Sequence, residues 1–135
     1  MTFTVPGEPV GKARPRVVRN FGRVQAFTPR KTAEYEQRVR QAYFTAGGKH
    51  FGKQPIVMTF TFYFGVPKSD TKKLRQEKLE GKILPMKPPD LDNTIKSIAD
   101  ALNGIAYDDD SQIVVIHASK AYDENPRTIV EIDAL

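Results

Sequence analysis

Hydrophobic and polar residues alternate most regularly in the middle of the chain, between residues 56 and 64. Apolar side chains stand at every second position, namely Ile56, Met58, Phe60, Phe62 and Phe64, with Thr59, Thr61 and Tyr63 between them. Because successive side chains of a strand point to opposite faces, this pattern predicts a strand with one buried face. Weaker patterns predict short strands at residues 2–5, 23–27, 112–122 and 128–133. The last two are joined by Asp123-Glu124-Asn125-Pro126, so we expect them to pair as an antiparallel hairpin.

Three other segments have helical spacing. The first predicted helix has Thr28 as its N-cap and Pro29 as its first residue, and it stops at Gly47-Gly48. The second, at residues 68–81, is highly charged and predicts a surface helix. The third runs from residue 91 to residue 103, and its apolar residues recur at i, i+3, i+4 and i+7, namely Ile95, Ile98, Ala99 and Leu102. Strands and helices do not alternate regularly, so the predicted fold is α+β: a single two-layer domain over residues 1–135, with a mixed or antiparallel sheet packed against helices.

Length and composition exclude several classes of protein. A chain of 135 residues has room for one hydrophobic core. It has no cysteine, which excludes disulfides and thiolate chemistry. No apolar run is long enough to cross a membrane and no secretory signal is recognisable, so we expect a cytoplasmic protein without a membrane partner. No Gly-x-x-x-x-Gly-Lys-Ser/Thr loop is present, so we expect no nucleotide cofactor.

The charges are separated along the chain. Lysine and arginine number 21 against 16 acids, a net charge of +5, which on its own fits simple solubility. Seven of the basic residues follow one another with no acid between them: Lys12, Arg14, Arg16, Arg19, Arg23, Arg30 and Lys31. The acids gather later, in Asp90-Leu91-Asp92 and Asp108-Asp109-Asp110. A basic surface beside concentrated acids is typical of a protein that holds a polyanion for metal-assisted chemistry.

The first acidic cluster has two interpretations. In an extended stretch before a helix, Asp90 and Asp92 point to the same side, where their charges repel unless a cation lies between them. Oxygen ligands alone suit Mg²⁺ or Mn²⁺. Lys96, one turn after Asp92, could orient a carboxylate or stabilise charge on a phosphate. Alternatively, Asp90 and Asp92 merely cap the helix and Asp92 forms an ordinary i,i+4 ion pair with Lys96.

The second acidic cluster favours the metal interpretation. Asp108, Asp109 and Asp110 directly precede a predicted strand, and the chain could return Asp110 toward Asp92 to share one ion. For Asp108 we expect a solvated turn. A calcium-binding EF-hand loop starting at Asp90 is excluded, because Ile95 and Ala101 stand where that loop requires glycine and glutamate.

Several motifs, in order and with sensible gaps, resemble one family, the RusA-type Holliday junction resolvases. They are Gly11-Lys12-Ala13-Arg14-Pro15-Arg16, Tyr35-Glu36, Lys87-Pro88-Pro89-Asp90-Leu91-Asp92-Asn93, Lys96, Asp100-Ala101-Leu102-Asn103-Gly104, Asp109-Asp110-Ser111-Gln112-Ile113, and the tail from Lys120-Ala121-Tyr122 through Pro126-Arg127 to Ile132. The resemblance implies a homodimeric, Mg²⁺-dependent endonuclease of bacteria or their phages that cuts four-way DNA junctions by paired symmetric nicks.

The resemblance also implies roles for individual residues. The metal-binding carboxylates fall on Asp90, Asp92 and Asp110, with Asp109 as the alternative to Asp110, and the active-site lysine falls on Lys96. Contacts to DNA phosphates are expected from basic residues, namely Lys12, Arg14, Arg16, Arg23, Arg30, Lys31 and Lys87. Tyr107 and Asp100 are candidates for packing or for support of the site, and we expect a structural role for His117. Two alternatives stay open: a metal nuclease acting on other branched DNA or RNA, and a non-catalytic DNA-binding protein.

Overall fold

The computed structural model describes residues 1–13, 16–20, 22–27 and 29–135, and for residues 16–18, 20 and 24–27 it describes the backbone alone. The elements in these ranges are β1 (Thr2–Pro6), β2 (Arg16–Asn20), β3 (Arg23–Phe27), α1 (Arg30–Thr45), β4 (Ile56–Gly65), α2 (Lys72–Leu79), α3 (Leu91–Ala101), a single 3₁₀ turn (Asp110–Gln112), β5 (Ile113–Asp123) and β6 (Arg127–Ala134). No helix within the described ranges is both long and apolar enough to span a bilayer.

One mixed sheet, with the strand order β1-β6-β4-β5, carries the fold. β6 pairs antiparallel with both β1 and β4, whereas β4 and β5 are parallel. β2 and β3 form a separate antiparallel pair. The predicted α+β class with a mixed sheet is therefore confirmed.

The predicted hairpin between the last two strands is wrong. β5 and β6 are consecutive in the chain, but β4 lies between them, pairing Gly65 with Asp123 on one side and Tyr63 with Arg127 on the other. Burial explains the difference. The alternating apolar side chains of β4, from Ile56 to Phe64, are at most 2% exposed, and a strand so fully buried requires a paired neighbour on each edge.

The core lies between one face of this sheet and helices α1 and α3. The sheet contributes the even-numbered residues of β4 together with Phe3, Val5, Val130 and Ile132. α1 buries Tyr35, Val39 and Tyr43, spaced by four residues, and α3 buries Ile98 in the same way, followed by its C-cap Leu102. The helical periodicities of these two segments are therefore confirmed.

The ends of the helices differ from the predictions. Pro29 occupies the N-cap position of α1 instead of its first turn, and the predicted cap Thr28 lies outside the described residues. α2 is shorter than predicted because residues before Lys72 form a turn closed by Asp70 N–H donating to Pro67, and the hydroxyl of Thr71 then caps the helix. α3 stops at Ala101, two residues earlier than predicted. Strand β2 was not predicted.

Candidate active site

Asp90 and Asp92 lie together at the start of α3. Asp90 occupies the N-cap position with extended backbone angles, φ −65° and ψ 149°, yet its carboxylate accepts no hydrogen bond from the first turn. Asp92 belongs to that first turn, and both residues are exposed. The positive end of the helix dipole favours negative charge here. Asp90 therefore does not use its side chain as a cap, and its carboxylate oxygens face solvent.

The segment before Asp90 is held from two sides. On one side, Lys120 of β5 donates from Nζ to the carbonyl oxygens of Lys87, at 2.8 Å, and Pro89, at 3.0 Å. On the other side, a Cβ at Gly11 would come within 2.8 Å of the Pro89 Cβ, so only glycine fits there without displacement. The next residue, Lys12, donates its backbone N–H to Asn93 at 3.1 Å. The start of α3 is thus fixed between β5 and the loop at residues 9–13.

Lys96 is paired with Asp100 instead of with Asp92. Its Nζ lies 3.6 Å from Asp100 Oδ2, the one carboxylate it pairs with among the described residues. Asp100 Oδ2 also lies 3.4 Å from Lys12 Nζ, which donates to Glu36 Oε1 at 2.5 Å. This network joins the N-terminal loop, α1 and α3. The structure therefore does not contain the i,i+4 ion pair between Asp92 and Lys96 that the helix-capping interpretation predicted.

Lys12 therefore has its ammonium against two carboxylates, and its side chain is 20% exposed. Burial alone would lower the pKa of Lys12, but its hydrogen bond to Glu36 and the charges of Glu36 and Asp100 outweigh burial and raise that pKa. The cation is thus retained at any physiological pH. These contacts favour a structural role over the predicted contact with DNA phosphate.

The second acidic cluster forms the turn before β5. Asp109 caps the 3₁₀ turn, its Oδ2 accepting from the N–H of Ser111 at 3.2 Å and from the hydroxyl of the same residue, and these bonds lower the pKa of Asp109. Asp108 is exposed, as expected, and pairs with His50 at 3.2 Å. Asp110 begins the 3₁₀ turn and is half-buried. Since Asp109 is engaged as a cap, Asp110 is the acid of this cluster better able to bind a ligand.

Tyr107 connects the second cluster to the end of α3. Its ring is fully buried, and its hydroxyl donates to the carbonyl oxygen of Ala99 at 2.6 Å. Burial raises the pKa of Tyr107, and the charges of Asp110, Asp100 and Asp109, with the nearby Tyr43, raise it further. Tyr107 thus packs and stays protonated, in agreement with the packing role considered for it.

Within one chain the two acidic clusters lie at opposite ends of α3. Lys120 contacts the residues just before the helix, whereas Asn103 and Tyr107 form a bridge just beyond its other end. Lys120 is seven residues along β5 from Ile113, about 23 Å at the usual rise of a strand. Asp110 is therefore on the order of 20 Å from Asp90, given a helix of about 16 Å between them. Among the described residues, no three acidic or histidine side chains form a metal-binding group. The expectation that one chain gathers Asp90, Asp92 and Asp110 into a common cage is not met.

The predicted basic contacts have different surroundings. Arg30 is exposed and pairs with Glu34 at 2.8 Å, and Arg23 and Lys31 are also exposed. Lys87 is close to Asp90 in sequence, and its ammonium lies 5.8 Å from the ring centroid of Tyr122. Arg14 lies outside the described residues, as does the side chain of Arg16. His117 is exposed on β5, so it is not part of the core.

Lys120 and Glu36 contact the site, although neither has a role predicted from the sequence motifs. A signal for Lys120 is present in the sequence. The face of β5 that continues the buried face of β4 carries every second residue of the strand, namely Ile116, Ala118, Lys120 and Tyr122. A lysine in an otherwise apolar series indicates a specific partner, since an ammonium is rarely placed there unpaired.

Comparisons with known proteins identify the family. The family model of the endodeoxyribonuclease RusA matches residues 6–133, nearly the whole chain. A protein of Bacillus subtilis strain 168 named uncharacterized protein YqaN is 37% identical over 132 residues, which cover 96% of this chain and 93% of that protein. The resemblance seen in the motifs is confirmed. The chain belongs to the RusA family of endodeoxyribonucleases.

Proposed function

We propose that the protein is a metal-dependent endonuclease that resolves four-way DNA junctions as a homodimer. One observation carries the proposal: Asp90 and Asp92 present exposed carboxylates at the start of α3, and Asp90 is uncapped, in a chain of an endodeoxyribonuclease family. A carboxylate that served only to cap a helix would accept a hydrogen bond from the first turn. That of Asp90 is instead available for a ligand.

The donor chemistry of the site fits a hard divalent cation. Asp90 and Asp92 offer carboxylate oxygens only, which suits Mg²⁺, with Mn²⁺ as an alternative, and lack the nitrogen or sulfur donors usual in zinc sites. Asp90 and Asp92 would hold the ion. When bound, such an ion polarises a phosphodiester and lowers the pKa of a bound water.

Lys96 would act on the phosphate itself. Its side chain is 59% exposed, so the ammonium can reach a bound DNA strand while Asp100 limits its orientation. A fixed positive charge beside the scissile phosphate stabilises the negative charge that increases during cleavage. In this interpretation Asp100 is a positioning residue, and Lys12 and Glu36 hold Asp100 in place.

A second copy of the chain would complete the site. Asp110 is too distant from Asp90 within one chain to bind the same ion, so we assign the third carboxylate to Asp110 of the partner protomer. A two-fold axis then creates two equivalent sites, each with two acids from one protomer and one from the other. Two such sites would make the paired, symmetric nicks that resolve a junction. Asp109 is not assigned as a ligand, because it caps the 3₁₀ turn.

DNA phosphates would be held by the exposed basic residues near the site. Lys87 is adjacent to Asp90 in the chain, and Arg23, Arg30 and Lys31 are exposed. Arg14 and Arg16 stay predicted contacts from the sequence. Lys12 is omitted because its ammonium is already paired. Such contacts supply affinity that falls as salt is raised.

The experiment that tests the proposal compares DNA substrates. Purified protein is incubated with a synthetic four-way junction, a linear duplex and a flap, with and without Mg²⁺. Paired nicks on the junction alone, only with Mg²⁺, are expected. Comparable cutting of all three substrates would instead indicate a nuclease for other branched DNA, and binding without any cleavage would indicate a non-catalytic DNA-binding protein.

A further inference from the structure

We propose that Lys120 is a positioning residue for the metal-binding carboxylate of Asp90. The inference rests on the proposed function and adds a residue that does not itself touch metal or substrate. Lys120 lies on β5, an edge strand of the sheet, in register with Phe62 of β4. Its ammonium contacts the residues just before α3.

Three contacts define the place of the Lys120 ammonium. It donates to the carbonyl oxygens of Lys87 at 2.8 Å and Pro89 at 3.0 Å, and it lies 5.1 Å from the ring centroid of Phe64. No carboxylate pairs with it among the described residues. A half-buried ammonium is costly unless its donors are satisfied, so these two carbonyls and the ring account for its position.

The segment that Lys120 holds has few other ways to be fixed. Pro85, Pro88 and Pro89 lack the N–H group, so the residues that lead into α3 can offer the fold mainly their carbonyl oxygens. Lys120 binds two of these carbonyls, on either side of Pro88, and the second belongs to the residue directly before Asp90. Gly11 packs against the opposite side of Pro89. Without Lys120 the residues before Asp90 would be held on the Gly11 side only. The carbonyl of Asp90 would still accept from the N–H of Thr94, but the path by which the chain enters α3, and with it the orientation of the Asp90 carboxylate, would no longer be fixed.

A different role for Lys120 would be direct contact with a DNA phosphate. The structure favours positioning, because two backbone oxygens already accept from the ammonium and the residue is half-buried. The two roles differ in what they change. A positioning residue lowers turnover with saturating DNA, whereas a phosphate contact lowers affinity for the junction.

The chain has no cysteine, so a single introduced thiol can be modified selectively. Lys120→Cys is compared with the same protein after reaction with 2-bromoethylamine, which rebuilds a lysine-like side chain, and after reaction with iodoacetamide, which does not. We expect Lys120→Cys to lower kcat by about 10- to 100-fold, the usual effect of removing a group that orients a metal ligand. Aminoethylation should restore most of this loss and iodoacetamide none. Lys73→Cys, which removes the same charge from the exposed face of α2, is the matched control and should keep its activity.

Hydrogen exchange gives a second readout that needs neither DNA nor metal. We expect the hydrogen-bonded amides at the start of α3, those of Lys12 and Thr94, which donate to Asn93 and Asp90, to exchange about tenfold faster in Lys120→Cys and to recover after aminoethylation, because local opening becomes easier. If the cysteine variant does not fold, Lys120→Met, which keeps the apolar stem, replaces it in both measurements, and kcat and exchange are then compared with those of the unmodified protein without the aminoethylation step.

Two results would overturn the proposal. The first is that both the exchange rates and kcat of Lys120→Cys stay within twofold of those of the unmodified protein. The second is that Lys120→Cys binds the junction more weakly with unchanged kcat, which would make Lys120 a phosphate contact. If the unmodified protein cuts no junction, the proposed function fails, yet the exchange measurement still decides whether Lys120 holds this segment.

Discussion

Lys96 and Asp100 form an ion pair one turn apart on α3, with Lys96 Nζ 3.6 Å from Asp100 Oδ2. The same oxygen lies 3.4 Å from Lys12 Nζ. One half-buried carboxylate therefore restrains Lys96, whose side chain faces solvent, and also connects it to the N-terminal loop.

Asp100→Asn should separate turnover from binding. The amide keeps the size of the side chain but not its charge, so Lys96 loses its restraint and Lys12 one of its two partners. We expect kcat on a four-way junction to fall about tenfold with junction affinity nearly unchanged, and the free energy of unfolding to fall by about 1 kcal/mol. Single-turnover kinetics and urea unfolding measure the two effects. Glu80→Gln, at the exposed end of α2, is the control, and equal kcat in both variants would remove Asp100 from the site.

Mixed dimers test whether the site is shared between protomers. If Asp110 binds the ion held by Asp90 of the partner, Asp90→Asn and Asp110→Asn are each inactive alone. After the two are unfolded and refolded together, one site of each heterodimer has all its carboxylates. We expect about half of the protein to become heterodimeric and to make single nicks in a junction. No activity in the mixture, with heterodimers verified by mass, would place Asp110 and Asp90 of one chain in the same site.

Gly11→Ala should displace the start of α3. A Cβ at this position would lie 2.8 Å from the Pro89 Cβ and 3.4 Å from that of Asn93, and a proline ring cannot move aside as a flexible side chain can. We expect unfolding to become easier by about 1–3 kcal/mol, the cost of overpacking, and junction cleavage to fall at least tenfold. Gly22→Ala is a comparison with open space around the new methyl group, although its φ of +75° adds backbone strain of its own. Cleavage by Gly11→Ala equal to that of the unmodified protein would show that Pro89 does not control Asp90.

Lys12 should stabilise the fold up to strongly alkaline pH. Its pKa in the folded state is raised above 10.5, despite burial, by Glu36 and Asp100, so its contribution is fully present below pH 10.5 and is lost as the pH rises through the folded value. We expect Lys12→Met to lower stability by about 1 kcal/mol at pH 7 and by less above pH 10.5. Thermal unfolding at pH 7, 9 and 11 checks this. A difference between the two proteins that is constant over this range would contradict the ionic role of Lys12.

The sequence predicted the elements of this fold better than their pairing. Periodicity identified β4, α1 and α3 because each buries one face along its length, and burial leaves a local pattern. Which strands pair with each other leaves no such local pattern. β5 and β6 are adjacent in sequence and compatible with a hairpin, yet β4 lies between them in the sheet.

The site shows the same limit. The acids at the start of α3 and the lysine one turn later were found from spacing and from the family motifs. Helical geometry allows Lys96 to pair with Asp92 or with Asp100, since each is four residues away. The sequence alone does not decide between them, and in the structure Lys96 pairs with Asp100, which Lys12 also approaches. The distance between Asp110 and Asp90 depends on the antiparallel course of β5 relative to α3, which no local pattern reports. Lys120 could have been found as a single lysine in an apolar series.

Cleavage of a four-way junction by the unmodified protein and by Asp92→Asn tests the central claim most directly. Both proteins are titrated with Mg²⁺, and junction binding is measured without Mg²⁺. We predict paired nicks that depend on Mg²⁺ for the unmodified protein, and for Asp92→Asn no nicks but binding that is equal or tighter, since one charge repelling phosphate is gone. Retained Mg²⁺-dependent cleavage in Asp92→Asn would contradict a metal site at the start of α3.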